Sequence, residues 1–219
     1  MPRHILVFGG TSPVGIDFSR AALRDGHTLT LYVRNPSKIP AEIADKVNVV
    51  VGQLTDAHAL EKAVGGGANT VVSFIGPVMD QLKKGTTPIT DGYRLILPLL
   101  QKHNYSRGLF SSTSSYHVPE DSFSFLYSLV VNIIYLFFNA AYKEINSFSP
   151  LITALPADKL AWTIFRLPNL KNGEAKPVKA GFVGQGVGLT IERKGVAEWV
   201  LAEMEEGKWI GKSPAIANA

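Results

Sequence analysis

Ile5-Leu6-Val7-Phe8-Gly9-Gly10-Thr11-Ser12-Pro13-Val14-Gly15 is the stretch whose reading decides the fold. Its first four residues are apolar and rich in β-formers, the mark of a buried strand. A glycine turn follows at once, and apolar residues at helical spacing then run from Val14 through Phe18, Ala21 and Ala22. A strand, a glycine turn and a helix in that order suit a dinucleotide. The glycines let the backbone turn tightly beside a pyrophosphate, and the helix N-terminus offers unpaired N–H groups and a positive dipole end. The spacing is G-x-x-x-x-x-G, with Ser12 where a third glycine is expected. Gly9, Thr11, Ser12, Pro13, Val14 and Gly15 are therefore candidate cofactor contacts, with Ser12 as a hydroxyl donor to the pyrophosphate.

The rest of the chain keeps the alternation. Strand-like runs lie at Leu29–Val33, Val47–Val51, Thr70–Phe74, Leu109–Ser112 and Trp162–Arg166. Helical patterns lie at Ala57–Val64, Pro88–His103 and Lys194–Glu206. Short continuous apolar strands separated by helices predict an α/β, Rossmann-like doubly wound sheet, mostly parallel, with helices on both faces. In such a sheet the ligand lies at the strand C-terminal ends, near the reversal of strand order. The 219 residues are enough for one domain and short for two. The expected organisation is a single domain over 1–219, with an apolar helical insertion at about 120–148 and a small substrate-side region at about 167–219.

Composition narrows the function classes. There is no cysteine, so disulfide scaffolds, thiol catalysis and cysteine-based metal sites are excluded. The five histidines show no metal-ligand spacing, and no metal is expected. The net charge is +4, with the basic residues scattered rather than gathered into a run, so no nucleic-acid partner is expected. Met1-Pro2-Arg3-His4 runs directly into the first strand and leaves no room for a signal peptide, so a cytoplasmic setting is expected.

Phe123 to Ala141 stands apart, carrying no charge, no glycine and no proline. Ser124, Ser128, Asn132, Tyr135, Asn139, Tyr142 and Asn146 fall on one narrow stripe at 100° per residue. A lipid-spanning helix gains nothing from such a stripe, and a membrane-surface helix usually carries Lys or Arg beside it. The pattern predicts one soluble helix with a wide apolar face packed against the domain or a second copy, with a substrate-pocket wall and a lipid contact as the alternatives. A homodimer through the 123–141 helix is thus one expected partner, and a membrane is not.

The end of the second strand discriminates between nicotinamide cofactors. An NAD site usually places Asp or Glu there for the ribose 2′-hydroxyl. Here the sequence reads Leu31-Tyr32-Val33-Arg34-Asn35-Pro36-Ser37-Lys38, without an acid. Arg34 can fork onto a 2′-phosphate and Lys38 can add charge, so NADP(H) is the expected cofactor. Gln53 and Leu54 follow the third strand, where adenine is flanked. Phe74, Ile75, Gly76 and Pro77 follow the fourth, where a glycine lets the backbone approach a ribose.

These segments, with Trp162-Thr163-Ile164-Phe165-Arg166-Leu167-Pro168, resemble the atypical short-chain dehydrogenase/reductases of the NmrA-like and biliverdin-reductase-B-like group. The last run is similar to that group's W-T-I-x-R-P-x-x-L strand and loop. The resemblance implies that Leu167, Pro168, Asn169 and Leu170 border the cofactor and substrate. The 123–142 segment resembles an insertion in small fungal members. Ser12 and Gln53 depart from the group's pattern, which has glycine and commonly aspartate there.

Reductases of the wider superfamily use a Tyr-x-x-x-Lys pair, and no tyrosine of this chain is followed four residues later by lysine. The polar cluster Ser111-Ser112-Thr113-Ser114-Ser115-Tyr116-His117 ends the fifth strand, at the face that meets the nicotinamide. Ser112 and Tyr116 are the candidates for contacting a substrate oxygen, Ser111 for the cofactor, and Lys143 for the nicotinamide ribose. The expected activity is NADPH-dependent reduction of a small aromatic or conjugated substrate. A regulator that binds NADP without turnover, and a redox-neutral isomerase or lyase on the same fold, remain as alternatives.

Overall fold

The computed structural model describes residues 1–78, 82 and 85–219. The opening strand β1 (His4–Phe8) leads through the glycine turn into α1 (Pro13–Arg24). Then come β2 (Thr28–Val33), a short α2 (Ala41–Ala44), β3 (Asn48–Val51), α3 (Ala57–Val64), β4 (Thr70–Ser73), α4 (Pro88–Lys102) and β5 (Arg107–Thr113). Two consecutive helices, α5 (Phe125–Phe137) and α6 (Asn139–Thr153), precede β6 (Ala161–Leu167). The chain continues through β7 (Asn169–Lys171), β8 (Val178–Gly181), β9 (Thr190–Glu192), α7 (Arg193–Glu206) and β10 (Ala215–Asn218).

Eight strands form one sheet in the order β3-β2-β1-β4-β5-β6-β10-β8, parallel except for β8. β1 pairs with β2 on one side and β4 on the other, so strand order reverses between β1 and β4. This is the mostly parallel doubly wound sheet expected from the apolar runs. One core cluster joins α1 and α7 to one face, through Phe18, Ala22, Val196 and Val200. The other joins α3, α4 and α6 to the opposite face, through Leu60, Ile96, Leu100, Phe148 and Ile152. Of the 167–219 segment, β7 and β9 pair as a separate two-stranded sheet, whereas α7, β8 and β10 belong to the main sandwich.

Two features fix the layers at points that matter for the site. Glu144, fully buried on α6, accepts from the Ile89 N–H at 2.8 Å, the Thr90 N–H at 3.1 Å and the Thr90 hydroxyl at 2.7 Å. Its carboxylate thereby caps the N-terminus of α4, where negative charge is favoured. On the far side, Arg166 at the end of β6 is buried and pairs through both terminal nitrogens with Asp121, at 2.6 and 2.7 Å.

The 123–141 segment differs from the expectation in two respects. First, the helix breaks: Phe138 leaves the helical region (φ −129°, ψ 42°), and α5 and α6 meet at 111°. The single polar stripe is therefore split at an elbow, where its members satisfy the exposed helix ends. Asn139 Nδ2 donates to the Tyr135 carbonyl, Asn146 Nδ2 donates to the Tyr142 carbonyl, and the Tyr135 and Tyr142 rings meet edge to face. Second, only α6 packs into the domain. α5 touches it through buried Tyr127, whose hydroxyl donates to the Gly188 carbonyl, while Phe125, Leu129, Ile133, Leu136 and Phe137 are exposed. Among the described residues no single helix is long and apolar enough to cross a membrane.

Candidate functional site

The glycine turn is built by backbone constraints that only glycine meets. Gly9 has φ +72°, and a Cβ on it would stand 2.9 Å from the Phe74 carbonyl group, so β1 and the loop after β4 touch at this point. A Cβ on Gly15 would collide with the Gly9 carbonyl oxygen, so α1 rests directly on the turn. Ser12 N–H donates to the Gly9 carbonyl at 2.9 Å, and Ser12 Oγ, the N-cap of α1, accepts from the Gly15 N–H at 3.1 Å. Accepting that bond leaves the Ser12 hydroxyl proton free to donate outward.

From this turn a cleft of about 310 Å³ runs along the C-terminal ends of the strands. Its floor is Ser12, Pro13 and Val14, then Phe74 to Pro77 after β4, then Ser111, Ser112, Thr113 and Ser115 at the end of β5. Leu167, Pro168 and Leu170 close the β6 side, Arg193 stands at the rim, and Ile134, Ala141 and Ile145 of α5 and α6 form an apolar roof. A Cβ added to Gly76 would meet nothing within 4 Å, which leaves room for a ligand beside that backbone. A larger hollow of about 390 Å³ lies near Met1, Asp25, His27 and Glu205. It lies away from the strand C-terminal ends and has none of the glycine-turn geometry.

The expected site residues distribute as follows. Ser12, Pro13, Val14, Phe74, Ile75, Gly76, Pro77, Ser111, Leu167, Pro168 and Leu170 come together around the cleft, while Gly9 and Gly15 shape the turn beneath it. Thr11 and exposed Asn169 do not line it. Arg34, Lys38, Gln53 and Leu54 form a second group, beyond the cleft at the ends of β2 and β3. There Asn35 caps a short turn over Pro36–Lys38, accepting from the Ser37 N–H at 3.0 Å. The Tyr32 hydroxyl donates to the Gln53 carbonyl at 2.7 Å, and burial, with the Asp56 charge, pushes its pKa up to about 12.

The three residues named for catalysis do not converge. Ser112 lines the cleft but is buried, with its hydroxyl 2.9 Å from that of Ser149. The Tyr116 hydroxyl lies 3.2 Å from Thr153 Oγ1 and outside the cleft lining, and Lys143 is exposed on α6, also outside it. Instead, Ser115 lines the cleft with a buried hydroxyl that has no hydrogen-bond partner among the described residues. A buried hydroxyl without a partner is costly unless a ligand completes it. Ser115 is one of a run of similar residues in the sequence, and Arg193 is one of two adjacent basic residues, with Lys194, at a helix start; neither carries a signal that singles it out.

Arg166 holds this end of the sheet. Besides pairing with Asp121, it donates from Nε to the Ser213 carbonyl at 2.7 Å and from Nη1 to the Tyr116 carbonyl at 3.0 Å. Asp121 also accepts the N–H groups of Val118 at 3.0 Å and Val183 at 2.9 Å. Burial raises the Asp121 pKa, but the Arg166 guanidinium and those two N–H groups outweigh it and leave the carboxyl below its ordinary value. The loop that carries Ser115 is thereby tied to β6 and to the chain around Val183. Among the described residues no group of three His, Asp or Glu is placed to hold a metal ion.

A family model described as NAD(P)H-binding matches residues 9–206. Solved structures share the fold at low identity. A short-chain dehydrogenase/reductase from Veillonella parvula in complex with NADP is 19% identical, with a TM-score of 0.78 over 100% of this chain and 95% of that one. An anaerobillin reductase from Escherichia coli is 16% identical, with a TM-score of 0.77 over 98% and 97%. A Rossmann-fold NAD(P)-binding family protein from Shigella flexneri is 16% identical, with a TM-score of 0.73 over 100% and 94%.

Proposed function

Because the chain belongs to the NAD(P)H-binding family, we propose that it is an NADPH-dependent reductase of a small, apolar, conjugated substrate. The observation that carries this reading is the cleft at the strand-order reversal, where the glycine turn, the open backbone at Gly76 and the Ser111–Ser115 strand end face one apolar roof. The residues fit a dinucleotide. The α1 N-terminus and the Ser12 hydroxyl would hold the pyrophosphate, Arg34 and Lys38 the 2′-phosphate, and Gly76 would admit the ribose. When bound, the cofactor supplies a hydride at the nicotinamide. The protein positions the acceptor under Ile134 and Ile145, and the Ser115 hydroxyl donates a hydrogen bond to its oxygen. The proton that balances the hydride would come from solvent at the cleft mouth.

We assign the chain to the atypical, NmrA-like short-chain dehydrogenase/reductases, on the missing Tyr-x-x-x-Lys and the Trp162 to Pro168 run. The NADP complex and the anaerobillin reductase among the structures of this fold support the reductase class. A cytoplasmic pool of NADPH would serve such an enzyme.

Titration with both nucleotides tests the cofactor. Arg34→Ala should weaken NADPH by about tenfold and leave NADH nearly unchanged, a loss of about 1.4 kcal/mol for the 2′-phosphate contact. Equal effects on both would remove the NADPH assignment. Turnover is tested with a panel of quinones, flavins and enones, read by NADPH consumption. The engagement of the Tyr116 hydroxyl with Thr153 favours a second reading, a cofactor-binding regulator. Tight binding without consumption of NADPH would select it, and conversion without consumption would select an isomerase or lyase.

A further inference from the structure

We propose that Arg193 is the anion-binding residue of the cleft, and that its guanidinium takes the pyrophosphate of the bound nucleotide opposite the α1 N-terminus. The glycine turn itself is short of charge: no charged residue lies between Phe8 and Ile16. What the turn offers is N–H groups, one hydroxyl and a helix dipole worth about half a charge. A pyrophosphate is a dianion, so much of its charge must be met from elsewhere.

The fold brings Arg193 to that place. α7 leads into β10, which runs parallel to β6, so α7 begins at the C-terminal edge of the sheet. Side chains on a helix lean toward its N-terminus, which directs Arg193 further toward the strand ends. α7 also lies beside α1 in one layer, with Val14, Phe18, Val196 and Val200 in one cluster. Arg193 accordingly lines the cleft together with Ser12 and Pro13. The roof belongs to the opposite layer, where Ile145 packs with Phe148 and Ser112 meets Ser149 of α6. The guanidinium therefore shares a wall with the glycine turn, and the substrate space under Ile134 and Ile145 faces it from the other side. That placement favours the pyrophosphate over an anionic group on the substrate.

The charge of Arg193 is also available. The carboxylates nearest it in the chain are taken, Glu192 by Lys176 at 2.9 Å and Glu174 by Lys194. Arg3, Arg20, Arg24, Arg94, Arg107 and Arg166 each pair with a carboxylate. Arg193 is half-buried and pairs with none among the described residues; its Nη1 donates to the Asn172 side-chain oxygen. The rest of its planar fork has donors to spare, in the geometry that suits phosphate oxygens. Asn172 directly follows β7 and Arg193 directly follows β9, and those strands pair with Lys171 opposite Glu192. The Asn172–Arg193 bond thus extends the two-stranded sheet by one rung and aims the guanidinium, which makes Asn172 a positioning residue.

This inference rests on the nucleotide of the family and holds for a reductase and a regulator alike. It also separates Arg193 from Arg34. A contact with the 2′-phosphate discriminates between the two nicotinamide cofactors, whereas a contact with the pyrophosphate serves both equally.

Calorimetric titration of the full chain with NADPH and NADH, and competition with adenosine 2′-monophosphate, test it. Arg193→Gln should weaken NADPH and NADH by the same factor, about tenfold, and leave adenosine 2′-monophosphate, which has no pyrophosphate, unchanged. NADPH affinity should fall more steeply with salt for wild type than for this variant. Arg193→Lys should recover part of the loss, since it keeps the charge and loses the fork. Asn172→Ala should weaken both nucleotides by about threefold, and by nothing further in the Arg193→Gln background. The ligand-free melting temperature of Arg193→Gln should match wild type, because no ion pair is removed. Unchanged affinity of Arg193→Gln for both nucleotides overturns the proposal. So does an equal loss for adenosine 2′-monophosphate, which would mark general damage to the site. A raised KM for a carboxylate-bearing substrate, with nucleotide affinity unmoved, would assign the guanidinium to the substrate and also overturn it. Turnover separates this inference from the reductase reading. Weakened nucleotide binding in Arg193→Gln, with no NADPH consumed by wild type, would uphold the pyrophosphate contact and defeat the reductase. NADPH consumption by wild type, with nucleotide affinity unmoved by the substitution, would do the reverse.

Discussion

Replacing Asp121 by Asn probes the tie that holds the substrate end of the sheet. The change keeps the shape and removes the charge facing a guanidinium that is 0% exposed. An amide cannot accept from Arg166 Nη1 and Nη2, Val118 N–H and Val183 N–H together, because one of its two positions is itself a donor. Arg166 keeps its carbonyl partners at Ser213 and Tyr116 but becomes a buried charge without a counter-ion. Breaking a buried pair in this way costs about 3–5 kcal/mol. For a chain of this size that is a drop in melting temperature of roughly 6–20 °C. Urea unfolding at neutral pH, followed by tryptophan fluorescence, measures it. Removing both charges with Arg166→Met/Asp121→Leu should cost less than the sum of Asp121→Leu and Arg166→Met alone, by about 1–3 kcal/mol. The acid limb gives a second readout. Because the folded pKa of Asp121 lies below the unfolded value of about 3.9, its stabilisation is present above that value and fades as pH falls through the folded pKa. Asp121→Asn should therefore lose less stability than wild type on going from neutral pH to acid. A cost below about 1 kcal/mol, or additive single and double variants, would refute the view that this pair organises the loops.

Other parts of the site give separable outcomes. Gly76→Val should leave the melting temperature nearly unchanged, because the added Cβ meets no atom within 4 Å, yet weaken NADPH binding by filling ligand space in calorimetric titration. Ser12→Ala should cost about 1 kcal/mol of stability as the α1 cap is lost, and should also weaken NADPH binding if the hydroxyl donates to the pyrophosphate. Glu144→Gln keeps one acceptor for the α4 N-terminus but loses the charge, so thermal unfolding should report a loss of about 1–3 kcal/mol.

The sheet was legible because burial on both faces leaves uninterrupted apolar runs. The run from Ile5 to Phe8 and those containing Leu31, Val71, Leu109 and Ile164 all became paired strands, and Ala57–Val64 is a helix with the expected bounds. β7, β8, β9 and β10 were not legible. Each has only three or four residues, and what makes Val178–Gly181 a strand is its antiparallel register with Ala215–Asn218, not its own pattern. The elbow at Phe138 left no trace either, since neither glycine nor proline marks it. There the need of Ile145 and Phe148 to reach the core overrides a periodicity that runs straight through. At the site, backbone positions such as Gly9, Gly15 and Gly76 were readable because a glycine states its reason. The serines at the end of β5 and just after it were not, because the direction of a hydroxyl depends on partners brought by other elements. Ser149 and Thr153 engage Ser112 and Tyr116, while Ser115 is left unpaired.

The position of β10 between β6 and β8 also constrains how the molecule can assemble. Residues 178–181 are synthesised well before residues 215–218, yet β10 is the strand they pair with. β8 must wait, unpaired, until a strand made more than thirty residues later slots in beside β6. Until then the edge of β6 stands open, a template for any extended peptide nearby. Such late, non-local closure slows folding and prolongs exposure to aggregation. A nascent chain arrested short of Ala215 should therefore engage holdase chaperones, and release should coincide with the arrival of the closing strand.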